Sequence, residues 1–154
     1  MKIRDVMSTP VVTCRATAVL GDAAETMQKH LCGSVVVVDS RGRPAGMVTD
    51  RDVCLAVAAR HQSPWRIPVR DVMSPNVVSC LVNDDLDVAL VAMKQHGVRR
   101  LPIVDGKGQL RGLLSIDDVI LRTGGGRTSV PADAVADVLR HICSPDAAAV
   151  VGER

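Results

Sequence analysis

Two short stretches place a hydroxyl three residues ahead of a carboxylate: Thr49-Asp50-Arg51-Asp52 and Ser115-Ile116-Asp117-Asp118. Such a pair is a capping box, which satisfies orphan N–H groups at a helix start and needs no ligand to explain it. The remaining groups with chemical potential are thiols and imidazoles. Cys14, Cys32, Cys54, Cys80 and Cys143 are odd in number and lack the dense spacing of a secreted disulfide framework, so reduced, buried thiols are expected. His30 and His96 fall near the ends of helical segments, where an imidazolium interacts favourably with terminal carbonyls. A zinc reading would have to recruit His30 and Cys32 with His141 and Cys143; the residue types suit the metal, but nothing local fixes such a site, and none is expected. There is no Ser-His-Asp or Cys-His constellation at a recognisable spacing and no Walker loop, and Gly124-Gly125-Gly126 follows a helix rather than a strand. An enzyme is the least favoured class.

The elements that position these groups emerge when the chain is laid against itself. Arg4-Asp5-Val6-Met7-Ser8 returns as Arg70-Asp71-Val72-Met73-Ser74, a shift of 66 residues. At that shift Cys14 meets Cys80, Leu20 meets Leu86, Met27 meets Met93 and His30 meets His96. Gly42, Gly46 and Asp52 meet Gly108, Gly112 and Asp118, with no insertion. Self-similarity of this length marks duplicated supersecondary units. Within a unit, Val11-Val12-Thr13 reads as a short strand, and Leu20, Ala23, Ala24, Met27 and Leu31 share one face of a following helix, with Thr17 and its counterpart Asn83 as N-cap formers. The β-branched run from Ser34 to Asp39, the turn Ser40-Arg41-Gly42-Arg43 and the strand Ala45 to Val48 form a hairpin. Thr49 then opens a second helix that turns Val53, Val57 and Leu55 inward. The order is β-α-β-β-α per repeat: residues 1–60, a linker 61–68, residues 69–123, then a Gly-rich hinge and helical tail at 124–154. Gly46 and Gly112 suit tight strand packing, and Arg99-Arg100 reads equally well as a solvated pair.

Composition narrows the function further. The 154 residues are 47% hydrophobic with a single aromatic residue, Trp65, so the core is aliphatic and offers almost no stacking platform. A net charge of +2, from 19 basic and 17 acidic residues, leaves no footprint for nucleic acid or an anionic membrane. The start Met1-Lys2-Ile3-Arg4-Asp5 lacks the apolar stretch of a signal peptide, and Val35 to Val38 is far short of the roughly 18 residues of a membrane span, which points to the cytoplasm.

The ordered motifs resemble the tandem CBS-domain family, or Bateman module, over about Met1 to Arg122. The resemblance rests on Arg-Asp-Val-Met-Ser opening each repeat, on Val-Val-Asp or Ile-Val-Asp before a glycine turn, and on Gly-x-x-Thr/Ser-x-x-Asp closing each repeat. It implies an α/β pair of repeats packed with pseudo-twofold symmetry, a homodimer, and a regulatory ligand such as AMP, ADP, ATP or S-adenosylmethionine, with no cofactor required. In family members that bind such ligands the closing Asp takes the ribose hydroxyls and the Thr or Ser sits near ribose and phosphate; the chemistry fits, since a carboxylate accepts from a vicinal diol. Carried onto this chain, one cleft combines Ser115, Asp117 and Asp118 with Met7, Val12, Cys32 and Gly33, and Arg100 to meet phosphate. The other combines Thr49, Arg51 and Asp52 with Met73, Val78, Val98 and Arg99. The first is expected to be the better site. Two departures stand against the pattern: Val36 replaces the proline found as Pro102 in the second repeat, and Asp117 adds negative charge where phosphate would approach.

Beyond the repeats, Trp65 lies in the proline-stiffened connector Gln62 to Pro68 and is expected to pack over the module. Pro131 to Ile142 reads as an amphipathic helix with Val135, Val138, Leu139 and Ile142 on one side. Cys143 in the tail, with Cys14, gives a narrower resemblance to the small stand-alone two-CBS proteins of the actinobacterial hypoxic response type. That resemblance implies a Cys14–Cys143 link and a protein that need not bind any nucleotide. A nucleotide-binding regulatory module acting on an unknown partner is therefore weighed against a ligand-independent, redox-responsive scaffold acting through protein partners.

Overall fold

The β-branched runs form strands and the amphipathic stretches form helices in the same order in both repeats. The computed structural model describes residues 1–122 and 130–144. The first repeat comprises β1 (Thr13–Arg15), α1 (Leu20–His30), β2 (Ser34–Val38), β3 (Pro44–Thr49) and α2 (Asp50–Arg60). The second comprises β4 (Cys80–Leu81), α3 (Leu86–His96), β5 (Arg100–Val104), β6 (Leu110–Ser115) and α4 (Ile116–Ile120), and α5 (Ala132–Ile142) follows. Each repeat builds a three-stranded sheet with its central strand in the middle, β1-β2-β3 and β4-β5-β6. β1 runs parallel to β2, across the α1 crossover, while β2 and β3 form the expected antiparallel hairpin. Its turn is held by Asp39, whose carboxylate accepts from the backbone N–H groups of Arg41 at 2.8 Å and Arg43 at 2.9 Å. Those bonds, that from Arg43 foremost, hold the Asp39 carboxyl below its ordinary range.

The chain divides into two compact units whose borders cross the repeats: one holds residues 1–9, 78–105 and 111–154, the other residues 10–77 and 106–110. The segment that opens each repeat in sequence is thus built into the core of the other repeat's sheet. Ile3 and Val6 are buried with Leu86, Ala89, Met93, Leu101, Ile103 and Leu114. Ile67 and Val69 are buried with Leu20, Ala23, Met27, Val35, Val37 and Val48. This crossing explains where the first helices begin. Their N-caps are Val19 and Asp85, with no side-chain cap, rather than Thr17 and Asn83. The incoming segments supply the missing acceptor instead: Leu20 N–H donates to the Ile67 carbonyl and Leu86 N–H to the Met1 carbonyl, both at 2.9 Å. Asn83 accepts from Arg4 at 2.9 Å.

Glycine at two sheet positions makes room for the incoming methionine. A Cβ on Gly46 would lie 2.7 Å from Met73 Sδ and 3.0 Å from the Ser74 carbonyl oxygen, and one on Gly112 would overlap Met7 Sδ. Besides the N-caps, three expectations need correction. The first strand starts at Thr13, because Val12 contributes only its carbonyl, accepting from Val36 N–H at 3.2 Å. Leu31 does not extend the buried face of α1: it ends the helix in the left-handed region (φ 51°) and is 94% exposed. Leu55 is likewise exposed at 55%, while Val53, Ala56 and Val57 make the inward contacts of α2. Trp65 packs on Gly21 of α1 with half its surface still open. α5 buries Val135 and Val138 against the core of its unit, with Leu139 and Ile142 beside them, and Lys94 of α3 pairs with Asp137 of α5 at 2.7 Å. Gly124, Gly125 and Gly126 lie outside the described residues, and among the described residues no helix is long and apolar enough to cross a membrane.

Candidate functional site

Each repeat ends its hairpin strand on a hydroxyl residue and starts a helix on the next, so the capping box forms twice. In the unit of residues 10–77, Asp52 Oδ2 accepts from Thr49 N–H at 2.8 Å and from Thr49 Oγ1 at 2.7 Å, and Asp52 N–H donates back to Thr49 Oγ1 at 3.2 Å. In the other unit Asp118 Oδ2 accepts from Ser115 N–H at 2.8 Å and Ser115 Oγ at 2.6 Å, with the return bond at 3.1 Å. Both carboxylates are half-buried. The reciprocal bonds fix each carboxylate in one orientation, leaving its second oxygen, Oδ1, facing away from the cap.

Around Asp118 the structure gathers two of the residues named with it, Ser115 and Met7. Met7 lies over Gly112, and Ser8, beside it, pairs with Leu113 through bonds of 2.8 and 3.1 Å. Ser8 Oγ donates to Asp118 Oδ1 at 3.0 Å, a contact that sequence reasoning did not find. Asp117 is exposed at the second position of α4. Arg100 is half-buried at the start of β5; Arg99 is exposed, its carbonyl accepting from Ile116 N–H at 2.9 Å and its guanidinium donating to Cys143 Sγ at 3.4 Å. Val78 and Val98 pack against this unit's core.

Around Asp52 the other unit places Thr49, exposed Arg51, and Met73 over Gly46, with Ser74 paired to Met47 at 2.9 and 3.2 Å. Val12 and Cys32 pack against this unit's core. Gly33 accepts from Asp50 N–H at 3.1 Å, and a Cβ there would come 3.1 Å from an Asp50 carboxylate oxygen. Cys32 also lines an open groove of about 350 Å³ between α1 and α2 with Ala24, Met27, Gln28, Leu31, Asp50 and Val53. Of the residues assigned to the two clefts, Ser115, Asp117, Asp118, Met7, Arg99, Arg100, Val78 and Val98 belong to one unit. Thr49, Arg51, Asp52, Met73, Val12, Cys32 and Gly33 belong to the other.

All five cysteines are free thiols. Cys80 is buried and Cys14 and Cys32 half-buried, whereas Cys54 and Cys143 are exposed, so uniform burial of the thiols does not hold. Burial, helped by Asp22, raises the Cys14 pKa, and burial with Asp84 raises that of Cys80. Cys14 and Cys143 lie in different units. Among the described residues no three His, Cys, Asp or Glu side chains gather to hold a metal ion.

The CBS-domain family model matches residues 3–59 and 69–123. The CBS domain-containing protein YhcV of Bacillus subtilis is 38% identical over 117 residues, covering 76% of this chain and 81% of the relative. An uncharacterized protein of Methanopyrus kandleri is 34% identical over 122 residues, covering 78% of this chain, and this chain spans 61% of that protein's length. Homoserine O-acetyltransferase of Methanohalophilus mahii also matches, at 29% identity, but the chain spans 25% of it. Among solved structures, Hypoxic Response Protein I with two coordinated zinc ions superposes with a TM-score of 0.71 at 25% identity, covering 79% of this chain and 98% of that one. A CBS domain protein of Pyrobaculum aerophilum complexed with AMP gives 0.71 at 22% identity, covering 90% and 98%. The CBS domain pair of protein MJ0100 in complex with 5′-methylthioadenosine and S-adenosyl-L-methionine gives 0.71 at 21% identity, covering 79% and 94%. At those last two identities the likeness is one of fold.

Proposed function

Since this chain belongs to the CBS-domain family and carries two of its repeats, we propose that it is a non-catalytic regulatory module that binds an adenine nucleotide or S-adenosylmethionine through Asp52 and Asp118. The observation that carries the reading is the half-buried Asp52 carboxylate. One of its oxygens is saturated by Thr49, and the other has no hydrogen-bond partner among the described residues. A fixed acceptor of this kind suits a vicinal diol, and similar folds hold AMP and S-adenosyl-L-methionine. Binding that biases the arrangement of a small module can regulate a partner without chemistry. Capping accounts for the reciprocal bonds and leaves the second oxygen of Asp52 open to water, where a ligand hydroxyl can replace the solvent.

The redox alternative has less support, because the raised pKa of Cys14 lowers its thiolate fraction, and the thiolate is the reactive form. Calorimetric titration with AMP, ATP and S-adenosylmethionine tests the proposal. At least one should bind the wild type, and combining Asp52→Asn with Asp118→Asn should weaken it by about tenfold or more, the scale of hydrogen bonds to a charged group. Absence of binding by all three ligands would return both carboxylates to capping duty.

A further inference from the structure

The two capping carboxylates are equivalent in sequence and backbone but not in the partners of their second oxygen. Ser8 and Ser74 are counterparts in the repeat, and each is held by an antiparallel pair of backbone bonds, to Leu113 and to Met47. Ser8 Oγ nevertheless donates to Asp118 Oδ1 at 3.0 Å, whereas no such bond joins Ser74 to Asp52. A carboxylate oxygen has room for about two hydrogen bonds. Asp52 Oδ1 can therefore receive both hydroxyls of a diol. Asp118 Oδ1 already holds one, so it can receive both only after Ser8 lets go. Charge is divided between the two positions. The residue before the carboxylate is Arg51 in the first repeat and its counterpart Asp117 in the second, both exposed. Arg99 and Arg100, whose counterparts are Gly33 and Ser34, put cations in the unit of Asp118, so the hydrogen bond from Ser8 is what distinguishes the two carboxylates.

We infer that Ser8 is a specificity-determining residue: its hydroxyl stands in for a ribose hydroxyl at Asp118, so that Asp52 is the first carboxylate to take a nucleotide. This rests on the nucleotide-binding reading above and reverses the order of sites expected from sequence. Asp118 becomes the low-affinity position, filled only at ligand concentrations that displace Ser8. Because Ser8 is exposed, its substitution leaves the core of its unit untouched.

The full chain is titrated calorimetrically with whichever of AMP, ATP and S-adenosylmethionine binds it most tightly, using wild type, Asp52→Asn, Asp118→Asn, Ser8→Ala and the Ser8→Ala/Asp52→Asn pair, each checked for native circular dichroism. Asp52→Asn should remove the tighter event and Asp118→Asn should spare it. Ser8→Ala should tighten the residual binding seen in the Asp52→Asn background by about three- to tenfold, the net worth of one hydrogen bond. Tight binding that survives Asp52→Asn but not Asp118→Asn overturns the inference and leaves nucleotide binding standing. So does an unchanged affinity on adding Ser8→Ala. A failure of AMP, ATP and S-adenosylmethionine alike to bind any variant overturns both together.

Discussion

Replacing Leu31 with glycine should stabilise the protein, although it deletes a large aliphatic side chain. Leu31 closes α1 at φ 51°, ψ 42°, where its counterpart Gly97 closes α3 at φ 62°, ψ 30°. The left-handed region costs a residue bearing a Cβ about 1–2 kcal/mol, a strain that glycine does not carry. Against this, glycine gives the unfolded chain more freedom, which takes back about 0.5–1 kcal/mol. Side-chain burial contributes little to the balance, because Leu31 is 94% exposed. Leu31→Gly should therefore raise the unfolding free energy by about 0.5–1 kcal/mol. The reciprocal change, Gly97→Leu, should lower it by a similar amount, since a Cβ at Gly97 meets nothing within 4 Å and strain alone is introduced. Urea denaturation followed by circular dichroism reads both as opposite shifts in midpoint at unchanged slope. If Leu31→Gly is destabilising, the strain argument fails.

Two other perturbations read local packing directly. Alanine at Gly21 would drive its Cβ against the Trp65 ring, well inside van der Waals contact, so Gly21→Ala should push the indole outward and red-shift the emission of the single tryptophan; an unshifted spectrum would mean that Trp65 does not rest on α1 in solution. Lys94, by hydrogen bond and then by charge, holds the Asp137 carboxyl below its ordinary range, with smaller help from Arg140 and His141. A depressed folded-state pKa contributes stability that is present above the unfolded value and lost as pH falls through the folded one. Hydrogen exchange in α5 should therefore accelerate as pH falls below about 4, beyond the intrinsic pH dependence of exchange, and Asp137→Asn should abolish that extra acceleration.

The duplication made much of the fold legible. Residues matched at one shift without a gap must build the same elements, and the apolar spacing of Val135, Val138, Leu139 and Ile142 was enough to place the tail helix. What could not be read is which unit each segment joins. Ile3 and Val69 look alike in sequence, and only three-dimensional packing assigns each to the core of the other repeat's sheet. The N-caps were misplaced for the same reason. Local chemistry favoured Thr17 and Asn83, but carbonyls from Ile67 and Met1, distant along the chain, already satisfied the helix starts. At the candidate site, the hydroxyl–carboxylate spacing was visible and its geometry follows from it. The partner of Asp118 Oδ1 was not, because Ser8 and Ser74 occur in the same motif and a sequence carries no information about where a hydroxyl points.

The internal repeat also separates what the frame demands from what a site can vary. Positions that let one segment lie against a sheet are identical in both copies: Met7 and Met73 over Gly112 and Gly46, and Ser8 and Ser74 in their backbone pairs. Positions at the capped helices and just before the central strands differ between the copies. Thr49 corresponds in sequence to Ser115, Arg51 to Asp117, Cys32 to Val98 and Gly33 to Arg99. None of these changes alters the capping box, since threonine and serine both close it with bonds between 2.6 and 3.2 Å. The Arg51-to-Asp117 change reverses the charge beside an otherwise equivalent carboxylate without touching the core. The two carboxylates therefore sit in unlike surroundings within a repeated frame, and under the proposed nucleotide-binding reading they form unequal sites. On that proposal, unequal sites would let one small module respond to two ranges of ligand concentration, which a pair of identical sites without coupling cannot do.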